Sequence, residues 1–425
     1  MTAPSKAAPV RLGDGLWATA VAWWLLVALL RTNAAVSVHP YVLLAAQVAP
    51  VALVTVHLAL TRPGRPDPGA RRVALSAGVL VGLCAVSTLW SLDPARTALQ
   101  AVVAGIAFAF VTATLLWAWP GRLALHVTVI WALGSIVTLA GVLGRLVGID
   151  ITVGIAGRSQ GFVGNPNYFG MLLTTTTWAA MWLLLRGGGS KAWRLLLQAS
   201  IGLALGALFT TGSRGSVLAL ATGLVVLVVL GRRRVLPGLA TLGVVAAVAA
   251  VVIGTWLVAP DPHTRAGGSG EGGDVGALVN REEVDTDVTS GRLGVWKDSL
   301  SLTLERPVQG HGYRTSEVAL DGLGTHNLPL AISLELGLLG LLATGWLGWC
   351  LVAAGRRRGR LDVVLAAAAA ALVVQELLES TLHAPSGPVA LLQLVLLFAL
   401  AASTDALNED AEDSRHRPNG ATSTP

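Results

Sequence analysis

The sequence predicts an all-α protein, a polytopic membrane helix bundle of about twelve transmembrane helices with one large extracytoplasmic loop that contains short helices. Of its 425 residues, 53% are hydrophobic and only 13% are charged, whereas a soluble domain carries about 25% charged residues. Apolar runs of close to twenty residues recur along the whole chain, and that length crosses a hydrocarbon core roughly 30 Å thick. Fourteen tryptophans, several near the ends of these runs, suit the membrane–water interface. A β-barrel would instead show short alternating segments.

The apolar runs also predict the domain organisation. We expect a cytoplasmic N-terminus at 1–14, a transmembrane domain at 15–403 that includes a large extracytoplasmic loop at 259–325, and a disordered cytoplasmic tail at 404–425. The first run could be a signal peptide, but no clear small-x-small cleavage site follows it, which favours a signal anchor. The predicted spans are 15–31, 41–60, 72–90, 98–117, 123–146, 168–185, 196–211, 215–231, 238–258, 327–354, 362–379 and 387–403.

The basic residues predict the orientation of the spans. With the N-terminus in the cytoplasm, 19 of the 30 Lys and Arg residues fall in inside segments, and the short outside loops hold only five of them. Cytoplasmic loops carry such an excess of basic residues, so we expect a multi-pass protein of the cytoplasmic (inner) membrane. The formal charge of +6 is scattered between apolar runs, and no nucleic-acid partner is predicted.

The second half of the long loop predicts a short helix. In SGRLGVWKDSLSLTLERPVQGHGYRT, residues 290–315, apolar and polar side chains alternate at helical spacing until Pro307 and Gly310 end the pattern. We expect an amphipathic helix over the outer face of the bundle. The glycine-rich stretch 267–276 before it predicts a flexible segment.

Three arginines mark a candidate anion site at the predicted outer ends of the spans. Arg158 precedes span six, Arg214 opens span eight and Arg292 lies in the long loop, each beside a Gly- or Ser-containing turn. A guanidinium stays charged and grips phosphate oxygens as a fork. Any one of these side chains could instead snorkel to the interface or pair with a carboxylate. Their common side of the membrane favours a binding site.

His326 is the candidate general base, because an imidazole can exchange a proton near neutral pH. It could instead cap a helix or face water.

No metal ion and no cofactor is predicted, since the chain lacks H-x-x-x-H, H-x-H and clustered cysteines. No G-x-x-x-x-G-K-[ST] motif occurs either, so ATP hydrolysis is unsupported. Four acids could bind a divalent cation but look more like a solvated loop: Glu282, Glu283, Asp285 and Asp287. Four further polar residues receive no role: Glu335, about two turns inside span ten, and Glu376, Glu379 and His383 towards the outer end of span eleven.

The order of several short motifs resembles the O-antigen ligase and O-antigen polymerase (WaaL/Wzy-type) superfamily of membrane glycan transferases. An arginine precedes Asn165-Pro166-Asn167 at the head of a span, and Gly-Ser-Arg-Gly at 212–215 joins two spans. Gly-Arg-x-x-x-Trp at 291–296 and Arg-Pro-x-x-Gly-x-Gly at 306–312 lie in the large loop. His-Asn-x9-Gly-x-x-Gly at 326–340 is similar to the ligase signature. The resemblance covers about residues 80–400.

The resemblance implies transfer of a glycan from an undecaprenyl-pyrophosphate carrier to an acceptor hydroxyl, on a lipid or another glycan, at the outer face of the cytoplasmic membrane. The reaction would be metal-independent and inverting. By the same resemblance, Arg158, Arg214 and Arg292 would bind the pyrophosphate and His326 would take the acceptor proton. The predicted secondary, substrate-binding residues are Asn165, Asn167, Ser213, Lys297 and Asn327.

Three alternatives remain open at this point. A polysaccharide polymerase would differ from a ligase chiefly in its acceptor. A lipid-linked glycan flippase or transporter would perform no covalent chemistry, but its sequence should place charged or broken helices near the bilayer midplane. A peptidoglycan polymerase would need an acidic loop nucleophile, for which Asp285 or Asp287 could be proposed.

Overall fold

The computed structural model describes residues 12–32, 38–61, 68–117, 122–149, 158–186, 189–231, 245, 247–251, 253, 292–357 and 361–402. Its helices are α1 (Leu12–Thr32), α2 (Pro40–Thr61), α3 (Pro68–Val86), α4 (Pro94–Trp117), α5 (Leu123–Leu146), α6 (Pro166–Leu185), α7 (Lys191–Thr211), α8 (Arg214–Gly231), α9 (Arg292–Glu305), α10 (Ser316–Ala319), α11 (Leu328–Arg357), α12 (Val363–Leu378) and α13 (Ala390–Ala402). A 3₁₀ turn, Ser87–Trp90, follows α3.

The helices confirm the all-α membrane class. Within the described ranges, nine helices are long and apolar enough to cross a membrane, and α12 and α13 are shorter apolar helices. Together they overlap eleven of the twelve predicted spans. The ninth, 238–258, lies largely outside the described residues, so the count of twelve stays a prediction. The predicted tail, most of the predicted N-terminus, the glycine-rich stretch and the acidic run 282–287 also lie outside them.

Helix α6 lies at the centre of the bundle and contacts α5, α7, α8, α12 and α13. Its four consecutive threonines, 174–177, are buried. Each hydroxyl donates a hydrogen bond of 2.8–2.9 Å to the carbonyl four residues earlier. The run therefore leaves no unsatisfied hydroxyl, which is what a membrane interior demands.

An ionic contact fixes one end of α6 to α12. Asp362 caps α12 by accepting from the backbone N–H groups of Val364 and Leu365, both at 3.0 Å. Its other oxygen accepts from Trp182 Nε1 at 2.8 Å and lies 3.7 Å from Arg186. Since α6 ends and α12 begins here, the start of α6 and the end of α12 meet at the other end of the bundle, which we call the site end.

Helix α11 is broken at Gly337, and the loop before it fills the break. Gly337 has φ 62° and ψ −155°, a conformation open essentially only to glycine. The carbonyls of Pro307 and Val308 accept from the backbone N–H groups of Leu338 and Leu339, at 2.8 and 3.2 Å. The segment thus supplies partners to backbone groups that the break would orphan. The two glycine motifs of the sequence, at 306–312 and 337–340, are therefore the segments whose backbones contact each other.

We expect Gly337→Ala to destabilise the protein by more than about 1–3 kcal/mol, the usual cost of a forbidden backbone conformation. A Cβ at Gly337 would lie 2.3 Å from the carbonyl oxygen of Val308, so relief of the strain would require the loop to undock. Thermal unfolding in detergent measures the effect. Gly345→Ala in the same helix is the matched control, because a Cβ there meets nothing within 4 Å. Equal Tm values for the two variants would contradict the role of the break.

Candidate functional site

A single carboxylate joins four segments at the site end. Glu379 directly follows α12, and its buried Oε1 accepts from Arg292 Nη2 and from Asn167 Nδ2, both at 2.6 Å. Its Oε2 lies 2.8 Å from Nδ1 of His326. Arg158 joins through Asn167, whose Oδ1 accepts from Arg158 Nη2 at 2.9 Å. We call Arg158, Asn167, Arg292, His326 and Glu379 the Glu379 cluster.

The Asn-Pro-Asn motif starts α6 and aims one carboxamide into the cluster. Asn165 is the N-cap, and its side chain accepts from the backbone N–H groups of Asn167 and Tyr168 at 2.8 and 3.4 Å. Pro166 occupies the first turn, where no N–H is needed. The Asn165 side chain is thereby used within the turn, whereas that of Asn167 bridges Arg158 and Glu379.

Arg158 lies across the turn between α7 and α8. Its Nε donates to the carbonyl of Thr211 at 2.7 Å. Gly212 ends α7 in the left-handed conformation, with φ 59°, and a Cβ there would lie 3.2 Å from Arg158 Nε. Glycine therefore allows both the turn and the close approach of the guanidinium.

Arg214 lies at the rim of the cluster. It begins α8 and is exposed, and it makes no hydrogen bond or ion pair with any residue that the structure describes. Next to it, a Cβ on Gly215 would meet Leu378 at 3.3 Å, so the start of α8 adjoins the residue before Glu379. Ser213 is buried, and its hydroxyl donates to Ser216 Oγ at 3.0 Å.

The first residue of α9 places the second clustered guanidinium. Arg292 Nη1 donates to the carbonyl of Leu378 at 2.5 Å, and Nη2 donates to Glu379. Arg292 is therefore bonded both to Leu378, the last residue of α12, and to Glu379, which follows it. Lys297, further along α9, is exposed and makes no hydrogen bond or ion pair in the described part of the chain.

His326 adopts a left-handed backbone conformation, with φ 47°, just before α11. Such a conformation is uncommon and costly for a non-glycine residue. The following Asn327 caps α11 by accepting from the N–H of Leu330 at 3.0 Å, and its Nδ2 donates to the carbonyl of Leu377 at 2.8 Å. The turn thus lets the imidazole face Glu379 while the next residue starts the helix. Because a carboxylate only accepts, Nδ1 of His326 carries a proton, and in the neutral form of the ring Nε2 then has the free lone pair.

A second set of polar side chains holds the loops that adjoin the cluster. Glu335, buried in α11, accepts from the backbone N–H groups of Arg314 and Ser316 at 2.8 and 3.2 Å. Arg314 Nη1 lies 2.7 Å from Nε2 of His383. Burial, with the neighbouring Arg314 guanidinium, lowers the pKa of His383 well below its usual value, so its neutral ring accepts this hydrogen bond. This group fixes the loop that follows α12.

Glu376 likewise holds that loop from inside the bundle. Its Oε2 accepts from the N–H groups of Thr381 and Leu382 at 2.9 and 3.0 Å, and its Oε1 accepts from the Thr381 hydroxyl at 2.5 Å. The turn that follows Glu379 is therefore fixed on its inner side.

The predicted site residues thus divide into three groups. The structure brings Arg158, Asn167, Arg292 and His326 together, with Asn327 beside them and Arg214 at the rim. Asn165 and Ser213 bond within their own turns, and Lys297 lies apart. Sequence reasoning noted Glu379 but gave it no role, although an acid at the same predicted end as three arginines was a usable signal. In the described ranges, no three His, Cys, Asp or Glu side chains are grouped so as to hold a metal ion.

Fold and site together define a multi-pass membrane protein with a cationic cluster at one end of its helix bundle. Residues 199–345 match the family model described as O-antigen ligase. The match confirms the resemblance to the O-antigen ligase and polymerase superfamily, over a shorter stretch than the motifs suggested. It includes Arg214, Arg292 and His326, whereas Arg158 and Glu379 lie outside it. No curated protein matches the chain.

Proposed function

We propose that this protein is an O-antigen ligase-like glycosyltransferase. It moves a glycan from an undecaprenyl-pyrophosphate carrier to an acceptor hydroxyl, at the extracytoplasmic face of the cytoplasmic membrane. The observation that carries the proposal is Glu379, which joins a candidate base, His326, to a candidate phosphate ligand, Arg292, through its two oxygens. The match to the O-antigen ligase family supports the same class of reaction.

The role of the guanidiniums is to stabilise the leaving group, a polyprenyl diphosphate. A diphosphate leaves with its negative charge, which needs stabilising rather than protonating. Within the described residues, the two guanidiniums of the Glu379 cluster outnumber its one carboxylate, and Arg214 adds a third positive charge at the same end of the bundle. Arg158 and Arg292 are held by hydrogen bonds before any ligand arrives, and such preorganised charges stabilise a developing anion without reorganisation.

The role of the imidazole is to activate the nucleophile, the acceptor hydroxyl. The acceptor hydroxyl attacks the anomeric carbon as its proton passes to Nε2 of His326, while the bond from that carbon to the diphosphate oxygen breaks. The electron pair of this bond leaves with the polyprenyl diphosphate, and attack from the opposite side inverts the anomeric centre. Glu379 accepts from Nδ1 and stabilises the imidazolium that forms.

The depth of the cluster suits a lipid-linked donor. Helix α12 separates Asp362 from Glu379 by its sixteen residues, or about 24 Å of helix rise at 1.5 Å per residue. A hydrocarbon core is roughly 30 Å thick. A site at the end of this helix can therefore receive a diphosphate at the headgroup level while the polyprenyl chain stays in the membrane.

The same geometry fits a polymerase, which would differ in the acceptor. A flippase without covalent chemistry would have no use for an imidazole oriented by a carboxylate, so the His326–Glu379 contact favours transfer. The acids proposed for a peptidoglycan polymerase, Asp285 and Asp287, lie outside the described residues.

Reconstitution of the purified protein in nanodiscs tests the proposal. We expect a new glycosidic bond to form from a polyprenyl-diphosphate glycan and an acceptor alcohol, with transfer retained in excess EDTA. Arg292→Ala should lower turnover by about 10²–10³-fold, the usual effect of removing one charge-stabilising donor. Lys191→Ala, an exposed cation at the opposite end, is the control and should leave turnover unchanged. Movement of the donor across the membrane without a new bond would contradict the proposal.

A further inference from the structure

Helix α9 presents an apolar stripe that the described part of the chain leaves uncovered. Leu293, Leu300 and Leu304 are 57%, 52% and 69% exposed, and their spacing of seven and four residues places them on one face. A second face packs on the protein: Trp296 Nε1 donates to the carbonyl of Thr325 at 2.9 Å, and Ser299 is buried.

A third face of α9 is polar. The exposed residues there are Asp298, Ser301 and Glu305. The helix therefore has a protein side, an apolar side and a water side. Lys297 falls between Leu293 and Leu300 on the apolar side, where its long stem can lie along hydrocarbon while its ammonium reaches outward.

The stripe continues onto the surface of a membrane span. Val308 is 53% exposed and follows Leu304 by four residues. Its carbonyl accepts from the N–H of Leu339, and Leu338 and Leu339 are exposed on α11. Exposed leucines of a span contact lipid chains, so Val308 places the apolar side of α9 next to the lipid-facing side of α11.

The height of this junction matches the edge of the hydrocarbon core. From Leu338 to Arg356, α11 rises through eighteen residues, about 27 Å at 1.5 Å per residue. A core of roughly 30 Å that begins near Arg356 therefore ends close to Val308. Helix α9 departs from this level, which is where amphipathic helices lie in the membrane interface.

We propose that Leu293, Leu300, Leu304 and Val308 form a membrane-contact surface whose partner is the lipid leaflet at the site end. Helix α9 lies at the boundary of this leaflet with its leucines in the acyl chains and its acidic flank in water. The leaflet then fixes the direction in which α9 leaves the bundle. If the proposed function holds, the same contact also positions Arg292, the first residue of α9, at the level of lipid headgroups.

Site-directed fluorescence tests this surface without any assay of transfer. Leu300→Cys and the adjacent control Ser301→Cys are each labelled with an environment-sensitive dye in nanodiscs of phosphatidylethanolamine and phosphatidylglycerol. The native Cys84 and Cys350 are buried, and the unsubstituted protein measures their background labelling. At position 300 we expect blue-shifted emission and at least threefold stronger quenching by shallow doxyl-labelled lipids than at 301. We expect the opposite order with aqueous iodide.

Equal iodide quenching at the two positions would overturn the proposal, because the stripe would then face water. A label at 300 that neither quencher reaches would also overturn it, since protein would cover the stripe. Both results are independent of catalysis: lipid contact with no transfer would contradict the proposed function alone, and transfer without lipid contact would contradict this inference alone.

Discussion

Replacement of Glu379 by alanine is expected to lower glycan transfer by about 10²–10⁴-fold, the range seen when a general base is lost or misoriented. The change removes the acceptor for His326, Arg292 and Asn167 at once. The imidazole loses the partner that fixes its Nδ1 proton, Arg292 loses its ion pair, and Asn167, which holds Arg158, loses its acceptor. Initial rates with a saturating acceptor, measured in nanodiscs, give the effect.

Two further variants separate orientation from general damage. Glu379→Gln keeps the shape of the side chain, but one end of its amide is a donor, so it cannot accept from all three groups. We expect it to retain the wild-type Tm within a few degrees and still lose most of the activity. Glu305→Gln, an exposed acid on α9, is the matched control and should behave as wild type. Near-normal turnover of Glu379→Gln would remove Glu379 from the site.

Replacement of His326 by asparagine should reduce transfer by about 10²–10⁴-fold while donor binding stays within a few-fold of wild type. Asparagine tolerates the left-handed conformation that His326 adopts, with φ 47°, so the backbone turn should survive. The guanidiniums that bind the diphosphate are unchanged. Binding is measured with a labelled polyprenyl diphosphate and turnover with the complete donor.

The control for this substitution is His39→Asn, an exposed histidine that immediately precedes α2. It should leave both binding and turnover unaltered. If His326→Asn weakens donor binding as much as it slows transfer, His326 contributes to the diphosphate site and another group must take the acceptor proton. If it alters neither, the general-base assignment is wrong.

The helices were predictable because the membrane imposes a simple rule on the sequence. An apolar run of fixed length is visible without knowledge of its neighbours, and the one span left open, 238–258, lies mostly outside the described residues. The clustering of Arg158, Arg292 and His326 followed from the same physics. Charges are costly in lipid, so their shared placement at outer ends indicated a common environment.

The organisation of the site was not predictable, because it depends on pairs between distant segments. Glu379 meets partners 53, 87 and 212 residues away in sequence, and no spacing rule encodes such contacts. The roles of Asn165 and Ser213 were also hidden. Each could serve a ligand or a turn, and only the backbone geometry assigns them to turns.

The break at Gly337 lets one loop hold both parts of the span that follows His326. Residues 311–312 donate to the part of α11 before the break, and residues 307–308 accept from the part after it. A span adjusts to a thicker or thinner bilayer by tilting, and this clamp makes the two parts of α11 tilt together with the loop. We therefore expect the distance between the imidazole and Glu379 to stay the same in membranes of differing composition.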